Sequence, residues 1–119
     1  MKELNTIQQQ EKLNKVYAID ELGPGGAHHA YEVRRADTDE ILLDVRFQKG
    51  PRAEDSSEHG VLGGDLLEIV RDTLKGFQSG PLASKYNEDA LYHVEEALKC
   101  MNARVEDRIK RNVLGHNKK

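Results

Sequence analysis

A chain of 119 residues with 37% hydrophobic and 33% charged side chains has the size of one domain. That size excludes large-fold enzymes and leaves a core that either packs economically or is shared between copies. The net charge of −3 gives no global attraction to nucleic acid or to an anionic membrane. The one cysteine, Cys100, excludes an internal disulfide framework, and with no apolar block in Met1–Gln10 and no run of about 18 apolar residues the expectation is a soluble, cytoplasmic protein with no membrane partner.

Residues 1–14 are polar and glutamine-rich, with Leu4, Ile7 and Leu13 too sparse for an apolar stripe, and are expected as a flexible arm or short helix. Lys15 to Asp20 alternates Val16 and Ala18 with Tyr17 and Ile19 as a strand does, and Gly23-Pro24-Gly25-Gly26 then forces a turn. His28–Arg35 and Glu40–Phe47 read as two more strands joined by Ala36-Asp37-Thr38-Asp39, an antiparallel meander over residues 15–47. Residues 48–64 read as a mobile loop.

From Asp65 the spacing of Leu66, Leu67, Ile69, Val70, Leu74 and Phe77 predicts a helix over residues 65–79, stopped by Gly80-Pro81. A longer helix over residues 87–112 opens with Asn87 as its cap and Glu88 and Asp89 in its first turn. Its seam of Leu91, Val94, Leu98, Met101, Val105 and Ile109 recurs every three or four residues, so it is predicted to pack lengthwise on its neighbour and on another subunit. Residues 113–119 form a tail. The expected fold class is α+β: one domain, a small antiparallel sheet of three strands followed by two long antiparallel helices that drive homo-oligomerisation.

Charge is unevenly spread. From Cys100 onward six basic residues face only Glu106 and Asp107, so an acidic body ends in a basic helix. Either those bases complement the helix dipole or they form a local anion site. Arg104, Arg108 and Arg111 step by four and three along one side, a row of planar forks suited to phosphate oxygens. The competing reading is a solvated face in which Glu106 and Asp107 occupy them.

Phe47-Gln48-Lys49-Gly50-Pro51 and Phe77-Gln78-Ser79-Gly80-Pro81 repeat Phe-Gln-x-Gly-Pro. The plain account is that Gly-Pro ends a strand in one case and a helix in the other. His28-His29 with Glu32, and His59 beside Glu58, have no zinc-site spacing, and adjacent histidines on a strand point to opposite faces. Gly60-Val61-Leu62-Gly63-Gly64 lacks the lysine of a phosphate loop and leads into the first helix. No metal or cofactor is called for. Two further classes stay open: an enzyme degrading a cyclic nucleotide, with His59 or His93 as base, and a regulatory protein whose helices bind a partner or DNA through Arg104, Arg108 and Arg111. The acidic body disfavours a nucleic-acid duplex.

Several short blocks agree in order with a known family. Gly25-Gly26-Ala27-His28-His29-Ala30-Tyr31-Glu32, Val45–Pro51, Phe77–Ala83, Asn87, and Glu95-Glu96-Ala97-Leu98 through Arg104 and Arg108 resemble the phage Thoeris anti-defence sponges, over about residues 15 to 115. Smaller anti-CBASS sponges share the helix pair. The resemblance implies a homodimer or homohexamer that binds a glycosidic cyclic ADP-ribose isomer without cleaving it, with cyclic di- or trinucleotides as a second ligand class. It also implies Arg52, Phe77, Asn87, Arg104 and Arg108 as ligand-binding residues. Where the helical cousins tend to carry an aromatic residue and a cysteine after the second Gly-Pro, this chain has Leu82 and Ser84, so the ADP-ribose-type ligand is expected first. Phe77 suits adenine stacking, Arg104 and Arg108 a pyrophosphate, and Arg52 a closing loop.

Overall fold

Alternation along the strands becomes a division between two faces of a sheet. The computed structural model describes the backbone of residues 1–119 and every side chain but that of Pro24. β2 (Asn14–Ala18), β3 (Ala30–Arg35) and β4 (Ile41–Arg46) pair antiparallel, with β1 (Lys2–Glu3) added outside β2 in the order β1-β2-β3-β4. The register sets Val16 opposite Val33 and Val33 opposite Leu43, and likewise Ala18, Tyr31 and Val45 in one row. Successive side chains point to opposite faces, so these six share one apolar face while Lys15, Arg34, Tyr17, Glu32 and Asp44 share the other. Ala18 and Val45 are buried within it, and the Tyr31 ring meets Phe47 edge-on at 5.7 Å.

The expected three-strand meander is present, and β1 makes the sheet four-stranded. Lys2 lies opposite Ala18 and Glu3 opposite Tyr17, and Leu4 N–H donates to the Val16 carbonyl at 2.8 Å. Residues 1–14 are therefore not wholly an arm or short helix, because their start is tied to the sheet. Two polar residues have no alternation of their own; what recruits them is the unpaired backbone edge of β2. Between β3 and β4 the chain turns through Asp39 in the left-handed region (φ 64°), with Arg35 N–H bonded to the Glu40 carbonyl at 2.9 Å.

β3 begins at Ala30 rather than His28 because the two histidines turn back onto Asp20. His29 N–H donates to Asp20 Oδ2 at 2.9 Å, and His28 Nδ1 lies 2.7 Å from the Asp20 carbonyl oxygen. Partial burial alone would raise the Asp20 pKa, but the backbone donors of His29 and Ala30 and the nearby His28 outweigh it and hold the carboxyl below its ordinary value. A depressed carboxyl contributes stability above about pH 4, and that contribution is lost as pH falls through the lowered pKa. Asp20→Asn is therefore expected to melt lower than the parent at pH 7, with the gap closing at pH 3. Equal differences at both pH values in thermal melts would remove Asp20 from the account.

The chain forms two compact units, Met1–Val61 and Leu62–Lys119. The second is a helical hairpin of α1 (Gly63–Gln78) and α2 (Lys85–Lys110). No helix is long and apolar enough to cross a membrane.

Candidate functional site

The hairpin's register follows from its cross-contacts. Gly63 faces Met101, Gly64 faces Leu98, and Arg71 Nε bonds Glu95 Oε2 at 2.8 Å, so the helices run antiparallel. The Arg71 pKa is raised first by that bond to Glu95 and then by the one to Glu68, so both contacts favour the charged guanidinium. Nothing in the sequence marked Glu95 as its partner, since the two are 24 residues apart; only Glu68, one turn before Arg71, was visible.

The same register places Phe77 level with Asn87 at the turn end of the hairpin. α2 is 26 residues long against 16 for α1, and its last turns project beyond the start of α1. Arg104 and Arg108 stand on that projection. At 1.5 Å per residue, Asn87 and Arg104 are about 25 Å apart along α2. Within one chain, then, Phe77 and Asn87 share one end of the hairpin and Arg104 and Arg108 the other. Arg52 is exposed on a loop of the first unit.

At the Arg104 end a groove of about 840 Å³ opens between the helices, lined by Gly63, Gly64, Leu98, Met101, Arg104 and Val105 among others. Leu98 is half-buried against α1, but Met101 is 44% and Ile109 51% exposed. The apolar seam thus continues past its intramolecular partner. Arg104 is exposed at the groove's rim, and among the described residues its side chain makes no hydrogen bond or ion pair. Its guanidinium is open to an anion.

Arg108, one turn on, is in a different state. It is 5% exposed, and its guanidinium donates to the carbonyls of Val113 at 3.0 Å, His116 at 2.7 Å and Lys118. The chain reaches these positions because α2 ends in a left-handed residue, Asn112 (φ 56°), with Val113 N–H returning to the Arg108 carbonyl at 2.9 Å. Arg111 is held as well, by Asp107 Oδ2 at 3.1 Å and the Lys119 carbonyl at 2.6 Å. The stripe of three arginines therefore divides: Arg104 is open, and the other two hold the C-terminal segment.

At the other end Asn87 is not the helix cap. Ser84 is, its Oγ accepting from Asn87 N–H at 3.1 Å, so α2 begins at Lys85. Both residue types cap helices well, and Ser84 prevails because Lys85 and Tyr86 extend the helix by a further half turn. The side-chain amide of Asn87 donates to the Leu82 carbonyl at 3.5 Å, which leaves its side-chain oxygen available. Phe77, near the same end of the hairpin, is 44% exposed.

No protein-family model matches the chain. Among curated proteins it is 36% identical over 78 residues to "Thoeris anti-defense 1" of Bacillus phage SBSphiJ7, an alignment that takes in 66% of this chain and 54% of that protein. The chain thus spans about half the length of the curated relative it matches. Over that stretch, in a chain whose fold has the expected α+β class, the protein is similar to a Thoeris anti-defence protein of a phage.

Proposed function

We propose that this protein acts in the cytoplasm of the infected host as a sponge: it binds a glycosidic cyclic ADP-ribose isomer, holds it intact and so blocks Thoeris immunity. The observation that carries this reading is the open guanidinium of Arg104 at the rim of an apolar groove, in a chain related to a Thoeris anti-defence protein. A cyclic ADP-ribose offers the matching pair of chemistries, a flat adenine for an aromatic ring and a pyrophosphate for arginine.

Phe77 and Arg104 lie about 25 Å apart on one hairpin, too far for one such ligand to span. We infer that two copies compose each site, the turn end of one hairpin meeting the projecting end of another. The exposed seam of Met101, Val105 and Ile109 and the exposed Leu82 and Tyr86 at the turn supply apolar surface for that contact. A two-fold arrangement makes two such sites per dimer, and dimers associate further into a hexamer. Arg104 meets the phosphates directly. Arg108 reaches them by exchanging tail carbonyls for phosphate oxygens, and Arg52 is a ligand residue on the resemblance alone.

The test is to load the protein with the isomer, wash it, denature it by heat and identify what is released. Intact cyclic ligand supports sequestration; a linear product assigns catalysis instead. A companion expectation concerns assembly. Leu98→Asp puts a charge where core and seam meet, so light scattering should give the mass of a monomer, or circular dichroism an unfolded chain. A folded variant with the parent's mass would rule out the helix-borne interface.

A further inference from the structure

The repeated Phe-Gln-x-Gly-Pro acquires a common physical role in the structure. In the first copy, Gln48 Oε1 accepts from Gly60 N–H at 3.1 Å, and its Nε2 donates to the Gly50 carbonyl at 3.3 Å. In the second, Gln78 Oε1 accepts from Ser84 N–H at 2.9 Å. Each glutamine thus reaches across the Gly-Pro loop that follows it and binds the backbone where the chain leaves that loop.

Both recipients are amides that the local backbone pairing leaves over. Around Gly60 the chain is paired on either side: Lys49 and Glu58 exchange two hydrogen bonds at 2.8 and 2.9 Å, and Val61 N–H donates to Arg46 at 2.9 Å. Gly60 itself passes so close to this backbone that a Cβ would fall 2.5 Å from the Arg46 oxygen, and its half-buried N–H has only the glutamine to meet. Ser84 is the cap of α2, whose own N–H has no intrahelical acceptor. A partly buried amide without a partner is costly, so each glutamine adds a closing contact at the point where its loop ends.

We infer that Gln48 and Gln78 are a pair of positioning residues that staple these loops in the binding-ready conformation. The Gln48 staple backs the Lys49–Glu58 pair that closes the loop carrying Arg52. The Gln78 staple fixes Ser84, whose Oγ in turn holds Asn87 N–H, and Gln78 adjoins Phe77. The inference rests on the proposed function for the ligand, while the staples themselves can be judged without it.

Gln48→Leu and Gln78→Leu remove the acceptor at nearly constant size; Gln48→Glu and Gln78→Glu retain a side-chain oxygen. In amide exchange followed by NMR, Gly60 in the first Leu variant and Ser84 in the second should exchange about tenfold faster, with the Glu variants close to the parent. In calorimetry with a glycosidic cyclic ADP-ribose isomer, each Leu variant should bind about tenfold more weakly, and Gln48→Leu should add little in an Arg52→Ala background. Unchanged exchange at Gly60 and Ser84 overturns the staples. Faster exchange with parental affinity in both Leu variants overturns their positioning role. If the parent itself does not bind the isomer, the sponge reading falls alone and amide exchange decides the staples.

Discussion

Mixing Phe77→Ala subunits with Arg104→Ala subunits is expected to restore a tightness of ligand binding that neither variant shows alone. Loss of a stacking ring costs about 1 to 3 kcal/mol, and loss of a hydrogen-bonding charge about 1.5 to 3 kcal/mol, so each homogeneous variant should weaken binding of a cyclic ADP-ribose isomer by roughly tenfold to a hundredfold. If each site takes its ring from one copy and its guanidinium from the other, a mixed two-fold dimer has one site lacking both and one site lacking neither. Random mixing after reversible dissociation then returns about a quarter of the sites to parental affinity. Calorimetry reads this as a tight class of reduced stoichiometry. A mixture that binds no better than its components would mean that the ring and the arginine do not meet across an interface, and the composite site would have to be given up.

What sequence patterns revealed of this architecture depended on whether the information lay in side-chain periodicity. The strands that carry Val16, Val33 and Leu43 were legible from their composition and the turns between them, while the register that pairs these residues was not. The hairpin was legible because the half-buried Leu91, Val94 and Leu98 recur on helical spacing and Gly80-Pro81 stops the first helix. β1 was not legible, since a two-residue strand is defined by the edge it joins. The site was partly legible. Arg104 and Arg108 look equivalent as sequence, four residues apart on one stripe, and they differ only because the chain beyond Asn112 folds back over one of them. The groups that capture Arg108 are backbone carbonyls, which every residue possesses and which no residue type announces. The glutamine staples lay in between: the echo was visible, but its purpose required the positions of Gly60 and Ser84.

Arg108→Ala is expected to lower the melting temperature markedly, where Arg104→Ala leaves it near that of the parent. The guanidinium of Arg108 is buried and bonded to three carbonyls, so its removal strands those acceptors and releases the segment after Asn112 from the end of α2. Charged hydrogen bonds of this kind contribute about 1.5 to 3 kcal/mol each, less when lost together. A total of about 2 to 4 kcal/mol corresponds to a fall on the order of 10 °C for a chain of this size. Arg108→Lys should recover only part of it, because an ammonium offers donors at one point and cannot bridge carbonyls that are spread around a planar fork. Arg104 has no such partners to strand, and its loss should appear in binding alone. Thermal melts of the three variants separate the roles of two arginines that one stripe presents side by side. If Arg108→Ala melted within about 1 °C of the parent, the tail would not depend on Arg108, and that residue would return to the same class as Arg104, a solvated arginine available only to a ligand.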